Sequence, residues 1–227
     1  MSTEPALTAL LQFGDGLFPA GGFTHSFGLE TYAQQGRLRD AADLDALIAA
    51  HLDGAAGPAD AVAVALAARA VDVAALVELD DRLDAMKCVP EFRSASLQMG
   101  RQTLRVAAAL RHDGVIVGLA AAVAEGLTPG HHAVVLGAAL GCAGATPAAA
   151  ATVYLHSTAA LLVNAALRLI SLGQTDGQRV LGAQGARIAR LAAGAAAANA
   201  DDMWSFNPGL EIAGIRHASL EMRLFRS

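Results

Sequence analysis

The sequence predicts an all-α fold: a single-domain helical bundle of about ten helices ending in a flexible C-terminal tail. Three observations predict it. Apolar residues recur at three- and four-residue spacing along most of the chain. No apolar–polar alternation runs beyond a few positions, so no strand is expected. Helix-start chemistry, an Asp or Thr ahead of an apolar run or a Pro, returns at intervals throughout.

Taken in order, Leu7, Leu10 and Leu11 begin a first helix. The turn at Pro19, Gly21 and Gly22 follows, and Thr24 or Ser26 is placed to cap a helix through Leu29, Glu30 and Tyr32. Asp40 and Asp43 cap a helix carrying Leu44, Leu47, Ile48 and Leu52. Gly57-Pro58 opens the next, through Val62, Leu66 and Arg69, and Asp72 caps one carrying Leu76, Leu79 and Leu83. Pro90 starts a long helix reaching Arg111, and Asp113-Gly114 leads into a helix over 115–125. Thr128-Pro129 caps 130–143, and Thr146-Pro147 caps the longest apolar helix. Gly173 stops that helix, and Asp176 restarts the chain through Leu191. The alanine-rich stretch 192–198 is expected to fray. Residues 203–209, with Asn207-Pro208, read as a linker, and 210–227 as an amphipathic terminal segment. With no internal repeat, residues 1–227 form one helical domain, of which 203–227 are linker and C-terminal docking segment.

A chain of 227 residues can bury a sizeable core. Hydrophobic residues make up 54% and charged residues 16%, an oily balance dominated by alanine, which favours close-packed helices. That is more apolar surface than one small domain needs to cover, so a homodimer is expected. A formal net charge of −5 with no basic stripe excludes nucleic acid as a partner. Residues 133–167 contain no Asp, Glu, Lys or Arg, a length that would span a bilayer. Gly141, Gly144 and Pro147 interrupt it, and His156, Ser157 and Asn164 follow, so the stretch reads as a buried core hairpin rather than a membrane span. Cys88 and Cys142 lack CxxC spacing and read as reduced packing thiols. With no basic leader visible, a cytoplasmic protein is expected.

Residues 18–30 read Phe-Pro-Ala-Gly-Gly-Phe-Thr-His-Ser-Phe-Gly-Leu-Glu. A glycine-rich elbow that presents Phe23, His25 and Phe27 at a helix start suits a recognition surface. It is not a phosphate loop, because GxxxxGK[ST] is missing and the chain's only lysine is Lys87. Adjacency of His25 and Ser26 does not create a nucleophile–base pair, and no GxSxG elbow occurs. His131 and His132, as helix neighbours, point roughly 100° apart and cannot grip one metal together. The other histidines are scattered; His25 and His217 are the best metal candidates, above all if two copies meet across a symmetry axis. Arg168 closes a neutral apolar helix, where a guanidinium either meets a carboxylate or carbonyls at the helix end or lines a polar passage. Gln174 and Gln178, four apart, share a face suited to an interface or a tunnel wall. In the terminal segment Leu220, Leu224 and Phe225 form one helical stripe flanked by Arg223 and Arg226, able to dock on this chain's own body or in a partner's groove. No residue set amounts to an enzyme active site.

Four stretches, in order, resemble the urease accessory protein family UreF. They are the elbow, residues 90–105 (Pro-Glu-Phe-Arg-Ser-Ala-Ser-Leu-Gln-Met-Gly-Arg-Gln-Thr-Leu-Arg), residues 172–178 (Leu-Gly-Gln-Thr-Asp-Gly-Gln) and the final twelve residues, ending Arg-Leu-Phe-Arg-Ser. The resemblance implies an all-α dimer, not an enzyme, that works with a UreD/UreH-type protein and the GTPase UreG to insert nickel into apo-urease. Nickel would be handled by the complex, with no tightly bound cofactor. By the same resemblance, Pro19, Gly21, Phe23, His25, Ser26, Gly28, Leu29 and Glu30 would lie near the surface used by UreG. His217, Leu220, Arg223, Leu224, Phe225, Arg226 and Ser227 would dock into UreD/UreH. Arg168 falls where the family is basic. Phe23 departs from the tyrosine often found at the elbow, which puts any role for that hydroxyl in doubt. Two other readings stay open: a GTPase-activating regulator of UreG with Arg223 or Arg226 as arginine finger, and a nickel-carrying protein.

Overall fold

A computed structural model of the chain describes residues 4–110 and 113–227. Helix α1 (Glu4–Gly14) and the short α2 (Leu29–Gln34) flank the elbow. Helix α3 (Ala41–His51) continues into a π-helical segment (Leu52–Ala61) and then α4 (Val62–Arg69). The chain proceeds through α5 (Val73–Ala85), α6 (Pro90–Leu110), α7 (Gly114–Ala124), α8 (His132–Cys142) and α9 (Pro147–Leu169). It ends with α10 (Gln174–Ala183), α11 (Gly185–Ala197) and α12 (Pro208–His217). No strand occurs among the described residues.

The core is built on α4, α8 and α9. Helix α8 lies so close to α4 that a Cβ at Gly141 would collide with the Ala68 backbone, so only glycine permits this spacing. Helix α9 packs against α1, α4, α8, α10 and α11 and buries Leu155, Ala159, Leu162, Val163 and Ala166. Among the described residues it is the one helix long and apolar enough to cross a membrane, and in this fold it is the central packing helix. Its alanines let several neighbours approach at once, which a leucine-rich surface would not.

Several helix starts follow the local chemistry. Asp40 accepts from the Ala42 and Asp43 amides, Asp72 from Ala75, Asp113 from Val115, and Thr146 from Ala149 ahead of Pro147. Each such cap is worth about 1 kcal/mol.

Elsewhere tertiary contacts replace the local rule. Thr24 does not cap α2, since its hydroxyl donates to the Gly21 carbonyl; Gly28, left-handed at φ 89°, is the N-cap, and the Ser26 hydroxyl accepts from the first-turn Glu30 amide at 3.4 Å. Gly28 also lies 3.2–3.4 Å, measured from a would-be Cβ, from three atoms of α12. Gly57-Pro58 does not open a helix but sits inside the π-helical segment. Thr128-Pro129 does not cap α8; Asp80 of α5 accepts from the Thr128 hydroxyl and from the Gly130 and His131 amides, and the helix starts at His132. The helix expected through Leu191 breaks at Gln184, which is buried and donates to Asp45 at 2.6 Å. The alanine stretch does not fray: α11 runs to Ala197, Ala192 and Ala195 are buried, and Arg69 donates to the Ala196 and Ala198 carbonyls. Residues 203–209 are no free linker, since the Trp204 and Phe206 amides donate to the Pro58 and Gly54 carbonyls of the π-helical segment. The expected end of α6 at Arg111, and His112, lie outside the described residues.

Candidate partner-binding site

The elbow turns over α9. It contains Phe27, whose φ of 49° is the one positive value at a non-glycine residue among those described. Such a conformation is unfavourable for a bulky side chain and persists only where surrounding contacts fix it. The contacts come from the end of the chain. The Ser227 carbonyl accepts from the amides of Ser26 and Phe27 and from the Ser26 hydroxyl. The Ser227 hydroxyl meets His25 Nδ1 at 2.8 Å, and the Arg226 amide donates to the Thr24 carbonyl.

Glu30, 3% exposed, is the hub. Its Oε1 accepts from the Leu224 amide at 2.7 Å, and its Oε2 accepts from the Phe225 amide and His217 Nε2, each at 3.0 Å. His217 Nδ1 meets Glu91 Oε2 at 2.7 Å, and Glu91 Oε1 accepts from Arg223. Both imidazole nitrogens thus face carboxylate oxygens. Burial alone would raise the Glu30 carboxyl; the Leu224 amide, His217 and the Phe225 amide outweigh it and hold its pKa below the usual value. Arg168 completes the joint by donating to the Phe23 carbonyl at 2.9 Å and stacking its guanidinium on the Phe225 ring, 4.4 Å from the centroid.

The expectation of a loosely held docking tail is therefore corrected. Residues 218–227 are not helical, so Leu220, Leu224 and Phe225 form no stripe. Phe225 is 4% exposed against the chain's own body, Leu220 is half-buried and Leu224 points outward. The backbone of the tail is extended enough to hand its amides to Glu30, and a helix would have consumed them internally. Exposed groups at the joint are Pro19, Phe23 at 75% exposure, Arg223, Leu224 and Arg226. Beyond the joint, the large apolar residues Phe206, Ile212, Ile215 and Met222 also stand in solvent. Gln174 and Gln178 lie exposed on α10, which packs on α3 and α9 rather than on the elbow.

Among the described residues no group of three or more His, Cys, Asp or Glu is arranged to hold a metal ion. Glu30 and Glu91 flank His217 but bond to opposite nitrogens of one ring, so their oxygens do not converge. His25 is buried and its Nε2 has no partner. Its pKa falls to about 4, through burial and then the nearby Arg226 charge. His51 and His132 fall to about 4 as well, through burial above all. A histidine depressed from about 6.5 binds its proton in the unfolded chain first, so stability is full above about pH 6.5 and drains as pH falls toward 4. Thermal melts are expected to show a lower midpoint at pH 5 than at pH 7.5; equal midpoints would contradict neutral, buried imidazoles.

A family model described as UreF matches residues 38–185. The chain belongs to the UreF family. Proteins named urease accessory protein UreF are similar over nearly all of it. That of Bacillus sp. (strain TB-90) is 32% identical, covering 97% of this chain and 99% of the relative. That of Cereibacter sphaeroides (strain ATCC 17023) is 35% identical over 98% and 99%, and that of Rhodopseudomonas palustris (strain BisA53) 35% over 98% and 93%. The UreF family model covers α3 to α10 but neither elbow nor tail, whereas the full-length similarities span both.

Sequence reasoning singled out Glu30 and His217 but not their partner Glu91, which sits in the second UreF-like stretch. It also missed a part-buried chain in which His131 bonds to Ser96 at 2.9 Å and to Asp84 at 2.8 Å, with Arg93 paired to Asp84. Arg93, then the His131 contact, hold the Asp84 carboxyl below its usual pKa. Asp80 and Asp84 lie four apart on α5, a spacing that marks one helix face, but nothing local points to the 128–131 turn they grip.

Proposed function

We propose that this UreF-family chain is a cytoplasmic, non-enzymatic scaffold that bridges a UreD/UreH-type protein and the GTPase UreG while nickel, as cargo of the assembly, is inserted into apo-urease. The observation that carries the reading is the fusion of elbow and tail, two segments about 200 positions apart that the hydrogen bonds to Glu30 and Ser227 make into one surface. A scaffold needs a composite surface of this kind, rigid before the partner arrives, so that little ordering entropy is lost on binding. Phe23 at its tip supplies the exposed aromatic that serves as an anchor at interfaces. The outward apolar side chains Phe206, Ile212, Ile215 and Met222 supply a second area of the kind that partners cover. Self-association is part of the proposal, and Leu7 and Leu11 on α1 and Val117 on α7 are exposed apolar candidates for that contact.

Co-purification of the full chain with a UreD/UreH-type and a UreG-type protein tests the bridge, and capture of neither would sink it. Phe23→Ala is expected to weaken recruitment by about 2 kcal/mol, some thirtyfold in affinity, while the melting temperature stays within a degree or two of wild type. A large fall in melting temperature would mean that Phe23 is structural. The regulator reading is favoured less, because Arg223 is already tied to Glu91; single-turnover GTP hydrolysis unchanged by Arg226→Ala would remove it.

A further inference from the structure

Apart from the elbow–tail surface, the chain surrounds a cavity of about 320 Å³ between α1, the elbow, the π-helical segment, α6, α8 and α9. That size lies in the range of small-molecule sites. Phe13, Phe27, Phe92 and Leu161 line it with apolar, mostly aromatic surface. Among its polar groups, one ion-paired cluster is largely buried. The Asp60 carboxylate, 4% exposed, pairs with Lys87 at 2.5 Å. Tyr154 and Thr158 line the cavity beside Asp60, and burial, then the Asp60 charge, raise the Tyr154 phenol well above its usual pKa. His51 and His132 also line the cavity, and their rings lie against Phe27 and Tyr154 respectively.

We infer that this cavity is a binding site for a small, uncharged aromatic molecule carrying one hydrogen-bonding group, such as a phenol. The charges of Asp60 and Lys87, deep in this cluster, cancel each other, and the other charged groups of the lining lie nearer solvent, Asp15 and Arg168 exposed and Glu211 half-exposed. A charged ligand would lose its hydration and find no compensation there. An uncharged one loses little, and its ring meets three phenylalanine rings able to take offset or edge contacts. Burial holds both imidazoles unprotonated, with pKa values near 4, and pushes the Tyr154 phenol well above its usual value. A neutral imidazole offers one donor and one acceptor, which suits a hydroxyl and not an ion. The π-helical segment is what brings His51 and Asp60, nine positions apart, to the same space; such irregular turns recur at functional sites.

The test is ligand-observed fluorine NMR on the full chain with 4-fluorophenol, beside 4-fluorobenzoate and 4-fluorobenzylamine as charged probes of similar shape. Binding of 4-fluorophenol in the millimolar range or tighter is expected, with each charged probe at least about tenfold weaker. No binding of 4-fluorophenol, or equal binding of all three, overturns the inference. Leu161→Trp, filling the space, is expected to abolish binding; a folded variant that binds as well as wild type places the site elsewhere and overturns the assignment. Tyr154→Phe keeps the wall and removes the hydroxyl, so it serves even if the tryptophan variant does not fold. It is expected to weaken 4-fluorophenol about fivefold, and unchanged affinity counts against the polar cluster as the recognising part.

Discussion

Replacing Glu30 with alanine is expected to destabilise the protein by about 3 kcal/mol or more. The carboxylate is buried and takes two backbone amides and one imidazole. Removing it strands all three donors in a place water cannot reach, and the loss includes their desolvation as well as the bonds themselves. Glu30→Gln keeps an oxygen acceptor but not the charge, so an intermediate loss is expected. Denaturant melts of the two variants measure this, and hydrogen exchange locates it: the Leu224 and Phe225 amides should lose their protection. An alanine variant that melts with wild type would show that the tail is held by something other than Glu30.

Phe225→Ala should be the next largest effect, about 3 kcal/mol within the tail's local stability. The ring is nearly fully buried and carries the Arg168 guanidinium on its face. The packing lost is at the C-terminal end of α9, at the edge of the fold and away from α4 and α8, so release of the tail is expected before global unfolding. The expected signature is faster exchange at the Ser26 and Phe27 amides, whose acceptor is Ser227, with protection in α8 and α9 retained. Partner capture should fall together with that protection. Unchanged exchange at residues 26–27 would mean that Phe225 does not hold the clasp.

The all-α class and the cap residues Asp40, Asp72, Asp113 and Thr146 were legible because the chemistry that sets them is local, within a few positions of the helix start. The start of α8 was not, because the turn before it is held by Asp80, some fifty positions earlier. The break at Gln184 was not, because its partner is Asp45 on α3. At the site, the residue types were readable and their arrangement was not. Glycines and aromatics announce an elbow, and the apolar tail announces something that needs covering. The tail reads as a helix from its spacing alone, yet Glu30 claims its amides, and a buried carboxylate nearly two hundred positions away leaves no mark on the local pattern. The π-helical segment is hidden for a related reason: Gly57-Pro58 looks like a boundary, while the docking of Trp204 and Phe206 on its carbonyls is seen only in three dimensions.

The distance in sequence between Glu30 and its amide donors also has a temporal side. A ribosome releases the elbow long before residues 217–227 exist, at about 5–20 residues per second. Throughout that interval a carboxylate and a histidine destined for burial have no partners, and Phe27 has nothing to hold it in its unfavourable conformation. The helical body can form meanwhile, because most of its contacts are already made. The elbow cannot settle until Ser227 is in place. A nascent or shortened chain lacking residues 217–227 would therefore carry a folded core but an unfinished elbow.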